Sequence, residues 1–267
     1  MTLLQSIVLG ILQGLAEFLP ISSSAHLTLA PWIFGWRDPG LAFDVALHGG
    51  TLIALVWYFR KDWVELTVAA FDMVKTRRVQ TPVQQRVILL IIATIPGGIA
   101  GKLFNDYAEQ AFRAPVLIAT TLIVMGTLLW AADKWAPQTR TLDEVTIKDA
   151  ILIGLAQMFA IIPGVSRSGS TITAGRALGL ERDSAARFSF LMSMPITAAA
   201  VAVKLPQAMH SQPEMMPIVV GILAAAISGW LAISILLRYI ARHSFGMFAL
   251  YRLALGVFVL ALVMYRR

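Results

Sequence analysis

Apolar runs close to the length of a bilayer crossing recur from one end to the other of this 267-residue chain. The hydrocarbon core of a membrane is about 30 Å thick and takes about 20 residues of helix to cross. Inside it every backbone amide must be satisfied within the segment, so each run is expected to be helical. Reading between helix breakers gives candidates at 2–19, 24–35, 41–60, 86–104, 114–133, 148–162, 170–179, 184–203, 216–240 and 246–265. The residues are 58% hydrophobic and 14% charged, against about 45–50% and 25% in soluble domains. A water-soluble domain and an unfolded chain are both excluded.

Two candidates are interrupted. Residues 2–19 stop at Pro20 and residues 148–162 stop at Pro163-Gly164, and each is followed by a Ser-rich turn and a second short apolar helix. Such a pair can enter a bilayer and return on the same side, provided that the broken backbone is buried in protein or faces a wet cavity. The expected fold is therefore an all-α integral membrane protein forming one polytopic domain over 1–267. It has about six transmembrane helices and two re-entrant helix hairpins. Gly10, Gln13, Ser22 and Ser24 recur 144 positions later as Gly154, Gln157, Ser166 and Ser168, with Ala25 facing Gly169. Repeat halves are thus read at about 1–133 and 148–267. Three spans lie between the two broken elements, which makes the halves an inverted repeat. Folds of that kind place their sites near the midplane, where broken helices meet.

The chain has no cysteine, which removes disulfides, thiolate metal sites and cysteine nucleophiles. The first basic residue is Arg37, so no cleavable leader is expected. The formal charge of +7 would point to nucleic acid in a soluble chain, but here the basic residues fall in loops and at helix ends. Nucleic acid is not an expected partner. The connector from Arg60 to Arg86, with Lys61, Lys75, Arg77 and Arg78, is placed in the cytoplasm. Connectors 105–113 and 204–215 then face outward, and 134–148 and 238–245 inward; Arg266 and Arg267 fit this scheme poorly. Trp57, Trp63, Trp130 and Trp135 are read as interfacial belt residues.

Polar residues inside the broken elements carry the chemistry. Gln13 and Glu17 are four apart and share a helix face. An acidic residue at that depth costs about 2.5–3.5 kcal/mol on insertion scales, and is a functional candidate by default; a hydrogen-bonded or Arg-paired structural Glu is the alternative. Ser22, Ser23 and Ser24 precede one short helix, and Ser166, Ser168, Gly169 and Thr171 surround the start of the other. One serine suffices to cap a helix; free amides and the macrodipole at both helix starts suit phosphate. Arg167 would add a bidentate fork for phosphate oxygens, or else pair only with Glu17. His26, three residues after Ser23, is read as a catalytic imidazole. His48, one turn after Asp44, is a second polar pair that either joins the pocket or bonds inside the bundle. His210 and His243 fall in connectors.

At these residues the sequence resembles the undecaprenyl-diphosphatase family, the bacitracin-resistance type of membrane phosphatase. Gln13 to Glu17 matches the family's first motif, with Phe18 to His26 as its Phe-Leu-Pro, Ser-rich turn and His continuation. Pro163 to Gly169 matches Pro-Gly-x-Ser-Arg-Ser-Gly, and the resemblance extends over essentially the whole chain. Gln13 stands where Glu is common, which makes it a poor proton carrier, and Ser24-Ala25 replaces the commoner Thr-Gly. The resemblance implies hydrolysis of undecaprenyl diphosphate to undecaprenyl phosphate and inorganic phosphate, recycling a lipid carrier for cell-wall synthesis. It also implies a bacterial cytoplasmic (inner) membrane location; on the loop charges, the active site opens to the outer, periplasmic side.

On this reading Ser23 attacks the terminal phosphorus, His26 assists proton transfer, and Glu17 acts as base or holds a divalent cation, magnesium or calcium, with substrate phosphates. Arg167 binds the diphosphate, and Gln13, Ser22, Ser24, Ser166, Ser168, Gly169 and Thr171 line its cradle. Direct attack by water is the competing mechanism. Expected partners are the polyprenyl diphosphate lipid and membrane lipids; a homodimer is compatible with this reading. The competing function is a transporter or flippase of a polyprenyl phosphate, or an ion-coupled carrier, since paired broken helices are also a transporter design.

Overall fold

The computed structural model describes residues 1–111, 113–209 and 214–266. His210, in the connector read at 204–215, and Arg267 lie outside the described residues. The protein is all helical, with helices α1 Leu3–Phe18, α2 Ser23–Phe34, α3 Leu41–Tyr58, α4 Arg60–Thr76, α5 Pro82–Ala111 and α6 Pro115–Trp135. They are followed by α7 Ile147–Met158, α8 Arg167–Ala177, α9 Arg182–Met209, α10 Met215–Ile240 and α11 Gly246–Tyr265. Five of them, α5, α6, α9, α10 and α11, hold stretches long and apolar enough to cross a membrane, which makes this a multi-pass membrane protein. α1 and α3 are apolar but shorter.

The main departure from the sequence reading is α4. Residues 60–86 read as a basic connector because they hold no continuous apolar run. Seventeen of them form a helix instead, with Leu66 and Ala69 buried on one side and Val64, Val68, Phe71 and Val74 exposed on another. Trp63 packs half-buried on this helix, whereas Trp57, Trp130 and Trp135 are exposed. Both connectors read at 105–113 and 204–215 are also shorter than expected, since α5 runs to Ala111 and α9 to Met209.

Small residues set how the broken helices seat. Gly10 and Gly14 of α1 lie one turn apart against α10. A Cβ on Gly10 would come within 2.5 Å of the Gly221 carbonyl oxygen, and one on Gly14 within 2.5 Å of the Ala225 carbonyl oxygen. Backbones pack this closely only where side chains are absent, the small-xxx-small mode of membrane helices. α7, at the equivalent place in the second half, packs on α5, and its Gly154 lies against the Ala93 backbone.

The three basic connectors converge. Arg86, at the start of α5, pairs with Asp143 of the α6–α7 connector at 2.5 Å. Asp133, near the end of α6, accepts from Arg176 at 3.0 Å, from Arg182 at 2.8 Å and from the Phe245 amide at 2.8 Å. On other elements, Arg113 bonds Asp38 at 2.7 Å, and Arg266 donates to the Trp32 and Ile33 carbonyls. That contact gives the poorly fitting terminal arginine a local partner.

Candidate active site

The two Pro-containing turns share the conformation of their cap serine. Ser22 and Ser166, 144 positions apart, have φ of 78° and 74° and are non-glycine residues in the left-handed region. Such a conformation costs on the order of 1–3 kcal/mol and persists where its surroundings over-determine it, often at ligand clamps. Each serine is also the N-cap of the helix that follows, accepting from the Ala25 and Gly169 amides respectively. Each further contacts the hydroxyl two residues on, Ser22 to Ser24 at 3.2 Å and Ser166 to Ser168 at 3.3 Å. Gly164, with φ of 92°, brings the second turn against α6, where a Cβ would clash with Thr121.

The turns meet at one carboxylate. Glu17, at the end of α1, is almost fully buried. Its Oε1 accepts from Arg167 Nη2 in a tight ion pair. Oε2 accepts from the Ser23 hydroxyl at 2.7 Å and from Gln13 Nε2 at 3.1 Å, and His48 Nε2 stands 3.6 Å from it. Arg167 is steadied by the Ser193 carbonyl and the Thr197 hydroxyl of α9. Ser168 donates to the Glu17 and Leu19 carbonyls, at 3.1 and 3.3 Å, and so closes the end of α1 from the other half of the chain.

Of the two imidazoles, His48 takes the pocket alternative and His26 bonds elsewhere. His26 does not reach Ser23. Its Nδ1 meets the Ser22 carbonyl at 2.7 Å, so Nδ1 donates, and in the neutral ring Nε2 accepts from the Tyr251 hydroxyl, also at 2.7 Å. The rings are stacked. His48 instead faces Glu17. Its Nδ1 donates to the Asp44 carbonyl at 2.7 Å, which leaves Nε2 as the nitrogen beside the carboxylate. Nothing in the local spacing of His48 reveals this, because α3 is brought to α1 by long-range packing. Thr171 lies away from any cradle surface, buried and bonded to the Arg167 carbonyl and the Ser189 hydroxyl. His243 is exposed in its connector, as expected.

A hydroxyl, a carboxylate able to take its proton and a guanidinium assembled in one buried place can perform group transfer on a bound anion. Comparison with known proteins places the chain in a family. A family model described as "Bacitracin resistance protein BacA" matches residues 6–258. The chain belongs to the BacA family. A protein named undecaprenyl-diphosphatase from Gemmatimonas aurantiaca is 62% identical over 261 residues, covering 98% of each chain. Proteins of the same name from Moorella thermoacetica and Pelotomaculum thermopropionicum are 50% and 48% identical over essentially their full lengths.

The oxygen-rich BacA site suits a hard cation only in part. Among the described residues, no group of three or more His, Asp or Glu side chains is arranged to hold a metal ion. Glu17 is the one carboxylate that meets Ser23 and Arg167. Beside it, the buried Gln13 Oε1 has no hydrogen-bond partner, which adds one oxygen fit for a cation or a substrate proton.

Proposed function

We propose that this BacA-family protein hydrolyses undecaprenyl diphosphate to undecaprenyl phosphate and inorganic phosphate, returning the lipid carrier to cell-wall synthesis at the bacterial inner membrane. One observation carries the reading: Ser23 from the first turn and Arg167 from the second converge on Glu17, so a nucleophile, its base and an anion receptor occupy one place. A carrier needs an anion receptor but has no use for a hydroxyl hydrogen-bonded to a buried carboxylate.

In the proposed reaction Ser23 Oγ attacks the terminal phosphorus, and its proton passes to Glu17 Oε2. The bond from that phosphorus to the bridging oxygen breaks, and undecaprenyl phosphate leaves with the electron pair. Water then cleaves the phosphoserine and frees inorganic phosphate. Gln13 holds the carboxylate in position, His48 Nε2 is placed to exchange a proton with it, and Arg167 with the amides of both turns stabilises the equatorial phosphate oxygens. The serines of the turns shape this cradle mainly by capping its helices. If Glu17 serves as a cation ligand instead of as base, Glu17 and Gln13 Oε1 would be the residues that hold magnesium or calcium, which would supply charge neutralisation there.

The same reading takes α1–α2 and α7–α8 as re-entrant hairpins of an inverted repeat, with α3 as the sixth span. The reciprocal packing of α1 on α10 and of α7 on α5 supports it, as do the matched turns. Loop charge favours a cytoplasmic place for the converging basic connectors, so the α1–α2 hairpin enters from the outer face, towards which the site opens. Phosphate release from a long-chain prenyl diphosphate by detergent-purified protein, with and without chelator, tests the activity. No release from a competent substrate by folded protein would overturn it. Rapid quench tests the nucleophile: phosphoserine at Ser23 is expected, and a Ser23→Ala enzyme with near-normal turnover would leave direct attack by water.

A further inference from the structure

Arg252 sits in the middle of α11, within an apolar run, and is fully buried. An ionisable group at such a depth calls for a partner. Among the described residues Arg252 forms no ion pair with a carboxylate. Its guanidinium instead donates to four backbone carbonyls. Nη1 reaches Pro20 at 3.1 Å, Nη2 reaches Gly164 at 2.6 Å and Val165 at 3.1 Å, and Nε reaches Leu122 of α6 at 3.3 Å. Pro20 and Gly164 are 144 positions apart, the offset of the repeat. One side chain therefore grips the same carbonyl of both turns.

The surroundings make room for that grip. A Cβ on Gly169 would lie 2.6 Å from Arg252 Nη1, and one on Gly126 would lie 3.0 Å from Arg252 Cβ. Gly169 is one of the positions at which the repeat departs from its first half, which has Ala25. The departure falls where the guanidinium crosses from one turn to the other.

We infer that Arg252 is a positioning residue that fixes the separation of the two turns, and with it the register of Ser23 against Arg167. The inference rests on the diphosphatase reading for its effect on turnover, but not for its effect on geometry. A planar fork with five N–H donors can hold carbonyls on two turns at once. The point-like ammonium of lysine, on a shorter reach, cannot reproduce this. Misplacement of catalytic groups by about 1 Å can cost about 10²-fold in rate.

The test uses the full chain, whose lack of cysteine allows clean labelling. Nitroxides at Phe34→Cys and Ala177→Cys, on exposed residues at the far ends of α2 and α8, report the relation between the hairpins by pulsed electron resonance. Turnover is measured on the unlabelled proteins. In Arg252→Gln and Arg252→Lys the label distances are expected to shift or broaden. At the same time kcat falls about 10- to 10²-fold while KM changes by less than about threefold, since Arg167 still binds the anion. Gly169→Ala, which displaces the guanidinium without removing it, should give a smaller change of the same kind and covers the case in which Arg252→Gln does not fold. Folded Arg252→Lys or Gly169→Ala proteins with unchanged distances and kcat would overturn the inference. If the unsubstituted protein releases no phosphate, the diphosphatase reading fails, and the label distances alone decide for or against the pin.

Discussion

The two Pro-containing turns of this molecule share a helix-cap geometry and carry different chemistry. Both have a serine forced to positive φ, both use it to cap the next helix, and both give a carbonyl to Arg252. They differ at the positions that face each other. Glu17 corresponds to Ile161, and Ser23 to Arg167. The repeat supplies two convergent helix starts, and on the proposed function they divide the labour: base and nucleophile on one side, anion receptor on the other. The cost of burying Glu17 is offset only when half-buried Arg167 of the other turn meets it, because a buried charge stripped of its partner is destabilising by about 3–5 kcal/mol.

Substitutions on either side of this divide should break the comparison unequally. Glu17→Gln removes the base and is expected to lower kcat about 10²- to 10⁴-fold in the phosphate-release assay. It also leaves Arg167 unpaired, so a fall in thermal stability should accompany it. Arg167→Ala removes the receptor and should reduce kcat/KM about 10²- to 10³-fold; full activity would remove its assigned role. His48→Gln keeps a polar group beside Glu17 but ends proton exchange there. A loss of about 10-fold in kcat is expected, and an unchanged kcat would leave His48 as a bystander.

The mildest effects separate two glutamines at the same place in the repeat. Gln13 serves Glu17, whereas neither amide atom of Gln157 has a hydrogen-bond partner, and its side chain fits against Gly97. Gln13→Leu should therefore reduce turnover. Gln157→Leu should leave turnover within about twofold and hold or raise thermal stability, by about 1 kcal/mol if an unpaired amide is removed. A loss of activity in Gln157→Leu equal to that in Gln13→Leu would mean that the second half contributes more chemistry than Arg167.

Much of this was legible in the sequence because it is local or repeated. The breaks at Pro20 and Pro163 and the meeting of the two turns around Glu17 and Arg167 follow from composition and from the offset of 144, but the choice of Ser22 and Ser166 as caps does not, since the second short helix reads as starting at 170 and begins at Arg167. What escaped depends on packing between distant helices. Which imidazole reaches Glu17 is decided by how α3 crosses α1, so His26, adjacent in sequence, is held by Tyr251 while His48 stands at the carboxylate. α4 escaped because its apolar positions recur every three or four residues instead of forming a run. Arg252 did leave a signal, a lone cation in the apolar stretch of 246–265, that reading by motif passes over.

The hydroxyl of Ser168 bears on how the molecule is made. It closes carbonyls of Glu17 and Leu19, yet the ribosome adds it about 150 residues after them. At about 5–20 residues per second, the nascent α1 hairpin waits on the order of 10–30 s for that donor. The Leu19 carbonyl also accepts from the Ile21 amide at 2.7 Å, so the oxygen that depends on this late donor is that of Glu17. Oxygens without a partner are ill tolerated in hydrocarbon, and until Ser168 arrives water must serve in its place.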